Sequence, residues 1–147
     1  MGVKTNEILV DKKEEDLYVT KITGDVEKAI SASQFRSGIA TVFVGCTTAS
    51  ISTMDYTPDN VRNMREALER VAPSEVDYEH HKTCADANGV GGDNNGKSHV
   101  RAAIMGPSIT VPFSNGKLML DGNMDVVLLD FDIIKRKRKV IVQLIGE

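Results

Sequence analysis

Between Tyr78 and Arg101 the chain reads Y-E-H-H-K-T-C-A-D-A-N-G-V-G-G-D-N-N-G-K-S-H-V-R. This stretch holds all three histidines, His80, His81 and His99, and one of the two cysteines, Cys84. Imidazole and thiolate suit Zn²⁺, and carboxylates accept several divalent ions. His80, His81, Cys84, Asp86 and His99 are therefore candidate ligands for a divalent metal, Zn or Mg, although their spacing matches no tight signature such as H-E-x-x-H. Adjacent side chains of an extended segment point to opposite faces, so only one of His80 and His81 is expected to face a shared site. A solvated surface loop is the plain alternative.

An anion site needs fewer assumptions. His99 and Arg101 stand two apart, and Thr47, Thr48, Ser50 and Ser52 bring hydroxyls to an interruption in a strand-like run. Arginine grips phosphate or carboxylate through two parallel hydrogen bonds, and histidine exchanges protons near neutral pH. In an enzyme, His99 would be the acid or base, while Arg101 and Lys97 would stabilise phosphate charge. His80 or His81 would then hold a metal or orient the substrate. Cys46 reads as a buried structural thiol, with a nucleophile as the alternative. Gly91 to Ser98 satisfies G-x-x-x-x-G-K-[ST]. That motif needs an entering strand and a long departing helix, whereas the segment before it is polar and Pro107 follows closely. It is read as accidental, with Lys97 still able to touch an anion.

Several elements must position these groups. Val3 to Lys12 and Leu17 to Thr23 alternate apolar and polar residues, which suggests an antiparallel hairpin. A helix is expected from Thr23-Gly24-Asp25 to about Arg36, with Val26, Ala29, Ile30 and Ser33 on one side and Gly38 as its stop. Ile39 to Val44 and Thr48 to Met54 read as extended. Pro58 opens a helix over Asp59 to Val71 that Pro73 closes, with Val61, Met64, Leu68 and Val71 as one core-facing stripe. Ser98 to Met105 reads as a short helix. Ile109 to Phe113, Lys117 to Leu120, Val126 to Asp132 and Lys139 to Ile145 read as strands, with a tight turn at Asn115-Gly116. The basic run Lys135 to Lys139 is expected to be a solvated hairpin turn, with a phosphate or polyanion patch as the alternative. The result is an α+β fold: one domain over residues 1–147, a mostly antiparallel β-sheet packed with helices.

Bulk properties agree with that picture. The 147 residues fit one core, and 41% hydrophobic and 27% charged residues are ordinary for a soluble globular protein. No apolar run reaches the roughly 18 residues that span a bilayer, so no membrane partner is expected and a cytoplasmic location is the default. A net charge of −3 argues against nucleic-acid binding.

The order G-C-T-T-A-S-I (45–51), A-L-E-R-V-A-P (67–73), Y-E-H-H (78–81), N-G-K-S-H-V-R-A-A-I-M-G-P-S-I-T-V-P-F (95–113), N-G-K-L-M-L (115–120) and D-F-D (130–132) resembles the YjbQ-like family. The family is catalogued by similarity as secondary thiamine-phosphate synthases. The resemblance implies a compact α+β homotrimer whose pocket binds a phosphorylated small molecule or inorganic anion, with a metal at the histidines in some members. Carried over by position, the pocket residues are His80 or His81, Asn88, His99, Arg101, Thr47 and Thr48. The implied reaction couples a hydroxymethylpyrimidine diphosphate to a thiazole phosphate and releases pyrophosphate. A non-catalytic metal- or anion-binding trimer, and a structural protein with a relic site, are the alternatives. Three features depart from the family pattern. Cys46 stands where many relatives have histidine, Leu120 to Met124 replaces L-G-T-W-Q, and the loop Gly89 to Gly96 is longer and richer in glycine.

Overall fold

A computed structural model describes residues 1–13, 17–80 and 94–147. The second sheet is the middle of three layers. Strands β1 (Gly2–Asp11), β3 (Ser37–Val44), β5 (Ser108–Ser114), β6 (Lys117–Leu118) and β8 (Lys137–Gly146) form the first sheet, in the order β1-β8-β3-β5-β6. Strands β2 (Tyr18–Lys21), β4 (Ala49–Asp55) and β7 (Met124–Asp130) form the second, in the order β2-β7-β4. Every pairing is antiparallel. The α+β expectation, with mostly antiparallel sheet, is met.

Alternate residues of β7 enter different cores, as a strand covered on both faces must. Val126 and Leu128 pack with Val42, Val142 and Leu144 of the first sheet and with Val26 and Ile30 of helix α1 (Thr23–Ser33). Val127 and Leu129 pack with Leu68 of helix α2 (Pro58–Val71) and Ala102 of helix α3 (Gly96–Met105). Thus the run V-V-L-L carries both cores, and the two later helices lie on the side away from the first sheet.

Local signals place most element ends. The Thr57 hydroxyl accepts from the Asn60 amide and Pro58 occupies the first turn, so α2 starts as expected. Asn115 and Gly116 both have positive φ, 51° and 74°, as a two-residue hairpin turn between β5 and β6 requires. Val26, Ala29, Ile30 and Ser33 are the buried side of α1.

Four expectations are corrected. β1 and β2 are not a hairpin: β1 pairs over ten positions with β8, from Gly2↔Gly146 to Asp11↔Lys137, while β2 pairs with β7 in the other sheet. α1 ends at Ser33 with Gln34 left-handed (φ 64°), and Gly38 lies inside β3. A Cβ at Gly38 would collide with the Ile145 carbonyl, so close strand packing explains this glycine. Val71 is exposed and only Leu68 of the α2 stripe is fully buried, since the helix turns its last apolar residue away from β7. The Lys135–Lys139 run is exposed except for Arg138, which points inward from β8.

Candidate functional site

Side-chain hydrogen bonds tie α3 to the second sheet and to α2. Ser98 Oγ donates to the Phe131 carbonyl at 2.6 Å, and Ser50 Oγ of β4 donates to the Ala102 carbonyl at 3.1 Å. Arg101 reaches across to α2, where its Nε and Nη2 donate to the Ala72 carbonyl at 3.1 and 2.7 Å. Nη2 also meets Glu69 Oε2 at 2.6 Å. A carbonyl just past a helix C-terminus lacks an intrahelical partner, and Arg101 supplies it.

This framework turns His99 toward a pocket of about 370 Å³ lined by Cys46, Thr47, Ala49, Ala102, Ala103 and Pro107. The ring of His80 lies against that of His99, with centroids 4.3 Å apart and planes inclined by 57°. Burial lowers the pKa of His99 from its ordinary value, and the neighbouring His80 adds to the effect. The charge of Asp132 and hydrogen bonding to the Thr47 backbone act in the opposite direction without overcoming it. A neutral imidazole is thereby favoured at the pocket wall.

Beneath Thr48 lies a buried ionic cluster. Arg138 grips Asp130 with two bonds, Nε–Oδ2 at 2.6 Å and Nη2–Oδ1 at 2.9 Å. Its Nη2 also contacts Thr48 Oγ1 at 2.9 Å and Asp132 Oδ2 at 3.2 Å. Thr48 donates to Asp132 Oδ2 at 3.0 Å, and Arg136 Nε approaches the same oxygen at 2.9 Å. Lys12 donates to the Asp132 carbonyl and contacts Asp130 Oδ1 at 3.4 Å. Burial works against the charge of Arg138, but its hydrogen bonds to Asp130 and the nearby anions more than offset this, and its pKa is raised. Burial likewise disfavours the Asp132 carboxylate, yet Arg136, Thr48, Arg138 and the Ile134 amide together hold its pKa below the usual value. For Lys12 burial wins over Asp130, and its pKa is lowered.

The sequence-derived residues therefore divide. His99 and Thr47 share the pocket, and His80 touches His99. Arg101 is buried and committed to α2, Thr48 is committed to the ionic cluster, and Lys97 is buried with Nζ on Ser74 Oγ at 2.9 Å. His81, Cys84, Asp86, Asn88 and most of the loop Gly89 to Gly96 lie outside the described residues. Gly96, Lys97 and Ser98 form the first turn of α3. Among the described residues no group of three or more His, Cys, Asp or Glu is placed to share a metal ion. Two imidazoles alone do not make a metal centre, so the described residues do not fit one. Cys46 is half-buried and lines the pocket. Sequence reasoning missed Asp132, Arg138 and Lys12. Their signal was D-x-D (130–132) directly after the uninterrupted apolar run Val126–Leu129 and followed by a dense basic run, charges too close to the core to be solvated.

An α+β protein with two stacked antiparallel sheets and a histidine-walled pocket defines the class. The family model for the UPF0047 protein YjbQ-like group matches residues 6–147, and the chain belongs to that family. It is 27% identical over 125 residues to a UPF0047 protein of Archaeoglobus fulgidus, covering 85% of this chain and 89% of that one. It is 25% identical over 131 residues to the UPF0047 protein YugU of Bacillus subtilis, covering 88% and 89%. A crystal structure of an uncharacterised YjbQ/UPF0047 protein from Clostridium acetobutylicum superposes with a TM-score of 0.82 at 31% identity, covering 95% and 99%. A YbjQ-like protein of unknown function from Sulfolobus solfataricus shares the fold, with a TM-score of 0.88 at 21% identity and 99% coverage of both chains. Among the described residues no helix is long and apolar enough to cross a membrane.

Proposed function

We propose that the pocket between the Cys46–Ala49 turn and α3 binds a small phosphorylated metabolite and that His99 exchanges a proton with it. The observation that carries this reading is a half-buried imidazole, packed on a second imidazole, in the wall of an otherwise largely apolar pocket. A recess of about 260 Å³ lined by Lys137, Arg138 and Lys139 shares Cys46 with the pocket. Arg138 is committed to Asp130 and Asp132, which leaves the exposed Lys137 and Lys139, held in surface ion pairs with Asp11 and Glu7, to meet phosphate oxygens. The transfer implied by the family resemblance, a hydroxymethylpyrimidine diphosphate joined to a thiazole phosphate with loss of pyrophosphate, is the specific version of this reading. It requires a phosphate grip other than Arg101 and Lys97, whose side chains already hold protein partners.

A second reading keeps the binding and drops the turnover. It is favoured by Cys46, a thiol at the position where the family resemblance implies a histidine, which removes one ligand or base from the pocket. The trimer implied by the resemblance would bury the outer face of the first sheet. There Val3, Ile145 and Ile39 are register neighbours, and Phe43 is exposed beside Ile141.

The test is thermal unfolding of the purified protein against phosphate, pyrophosphate, thiamine phosphate, its two precursors and divalent metals. A compound that binds the folded state alone raises the melting temperature by mass action. Stabilisation by a phosphorylated compound that disappears in His99→Ala supports the proposal. Stabilisation that persists in His99→Ala removes His99 from the site, and no stabilisation by any compound rejects the reading. Light scattering on the same preparation tests the trimer.

A further inference from the structure

The first sheet has a notch where two strands part. The β3–β8 ladder ends at Val44↔Val140, whereas the β1–β8 ladder continues through Leu9↔Lys139 to Asp11↔Lys137. Past Val44 the chain turns away at Gly45 and Cys46, so β8 keeps β1 on one side and loses β3 on the other. The recess of about 260 Å³ lies in this gap, with Val44, Gly45, Cys46 and Ile141 facing the Lys137–Lys139 stretch. Lys137 and Lys139 stand two apart on β8 and share a face. Both side chains are more than half exposed, at 59% and 58%. Their carboxylate partners, Asp11 at 3.6 Å and Glu7 at 3.3 Å, belong to β1, on the side of β8 away from the gap. Such exposed pairs contribute little, and an ammonium on a flexible stem can turn to another anion.

Three connections set this recess beside the pocket walled by His99. Cys46 lines both hollows. The amide of Val44, at the recess, donates to the carbonyl of Pro107, at the pocket, over 2.9 Å. Arg138, at the recess, donates to Thr48 Oγ1 at 2.9 Å, and the adjacent Thr47 lines the pocket. The two hollows differ in chemistry. Ala49, Ala102, Ala103 and Pro107 surround His99 in the pocket, which suits an uncharged ring. The recess presents two ammonium groups beside Val44 and Ile141, which suits a compact anion. A phosphoryl group placed among the alanines would be left without charged donors, a costly arrangement.

We propose that the notch is the anion subsite of a divided ligand site: the phosphoryl group lies between Lys137 and Lys139, the ring part lies in the pocket against His99, and the link between them crosses Cys46. This rests on the reading of the pocket as a site for a phosphorylated metabolite and adds where each end of the ligand sits. Arg138 forms the floor of the notch and gives no grip, because Asp130 and Asp132 hold it. On binding, each lysine leaves its β1 carboxylate for phosphoryl oxygens, so Glu7 and Asp11 are internal competitors of the ligand. Cys46 determines specificity by its size. Among the described residues it alone lines both hollows, and a longer side chain there would stand between ring and phosphoryl group.

The test uses the full-length protein at matched ionic strength, with inorganic pyrophosphate as a probe of the notch alone and thiamine phosphate as a probe of both hollows. Alkylation of Cys46 by iodoacetamide, read by mass spectrometry of its peptide, reports occupancy at the junction. Both probes should slow alkylation of the wild type. In the double variant Lys137→Gln, Lys139→Gln the concentration for half-protection should rise about tenfold or more, because each lysine loses a charge-assisted hydrogen bond. In Glu7→Gln, Asp11→Asn it should fall, whereas Asp59→Asn, at an exposed acid on α2, should leave it unchanged. All these side chains are exposed, so the fold is retained. Absence of protection by pyrophosphate, or protection unaffected by the lysine variant, overturns the subsite. Lysine-dependent protection by pyrophosphate with no binding of thiamine phosphate or its precursors upholds the anion site and rejects the pocket reading. Stabilisation by thiamine phosphate that His99→Ala abolishes and the lysine variant leaves intact does the reverse.

Discussion

Arg101 and Arg138 are both almost wholly buried arginines, yet they do different work. Arg101 lies between two helices, where its partners are a carbonyl and a half-exposed carboxylate. Arg138 lies under the pocket, where its partners are two fully buried carboxylates and a threonine hydroxyl. From the sequence the first looked like a ligand-gripping residue and the second like one charge of a solvated run. An arginine's role is decided by which acceptors the fold leaves unsatisfied near it, and those acceptors are distant in sequence. Glu69 and Ala72 lie 32 and 29 positions from Arg101. Loss of either arginine therefore strands an acceptor, but a stranded anion costs more than a stranded carbonyl.

The largest effect that can break this comparison is expected at Arg138. Arg138→Met leaves Asp130 with Lys12 as its one cation partner among the described residues and takes one donor from Asp132. Removing one partner of a buried pair costs about 3–5 kcal/mol, a large share of the roughly 5–15 kcal/mol that holds a domain together. Urea unfolding should show a much lower midpoint. A loss below about 1 kcal/mol, the scale of an exposed pair, would mean that water reaches the cluster and that it is not buried in solution.

A smaller loss is expected at Arg101. Arg101→Met leaves the Ala72 carbonyl without its side-chain donor at the end of α2 and should cost about 1–3 kcal/mol. The same protein sharpens the functional question, because Arg101 was the leading candidate for gripping a phosphate. Stabilisation by phosphate or pyrophosphate that survives in the variant would fix Arg101 as scaffold. A variant as stable as wild type that no longer responds to those anions would return it to the ligand.

The legible parts of this molecule are those specified by neighbours in sequence. Thr57-Pro58 starts α2 because the capping oxygen lies three residues before the amide that it satisfies. Asn115-Gly116 makes a hairpin because both residues tolerate positive φ. V-V-L-L reads as a buried strand because no charge interrupts it. The first hairpin was misread because alternation in β1 reports one buried face and not the partner strand, which proved to be β8, more than a hundred residues away. The same limit applies to the site. Local chemistry picked out His99 and Thr47, which do share a pocket, whereas Asp132 becomes meaningful only once β7 ends beside α3. Arg101 and Lys97 carried the right chemistry for phosphate, but the fold had already matched each with a protein acceptor.

The smallest effect separates the two arginines by pH. Hydrogen bonds from the Ser74 backbone and hydroxyl, together with Arg101, hold the Glu69 carboxyl down to about 2 against partial burial. A carboxylate whose folded pKa is depressed adds stability that is fully present above its unfolded value, about 4.3. That stability is lost as pH falls through the folded value near 2. The side chain is 45% exposed, so solvent screens much of this and the contribution is modest. Glu69→Gln keeps an acceptor for Ser74 and Arg101 but cannot titrate. Urea midpoints at pH 6 and pH 3 should therefore lie closer together in the variant than in wild type. The difference that remains in Glu69→Gln belongs to other carboxylates, including Asp132, whose pKa is also lowered. An acid response identical in the two proteins would mean that Arg101 is held by the Ala72 carbonyl alone, and the helix clamp would owe nothing to charge.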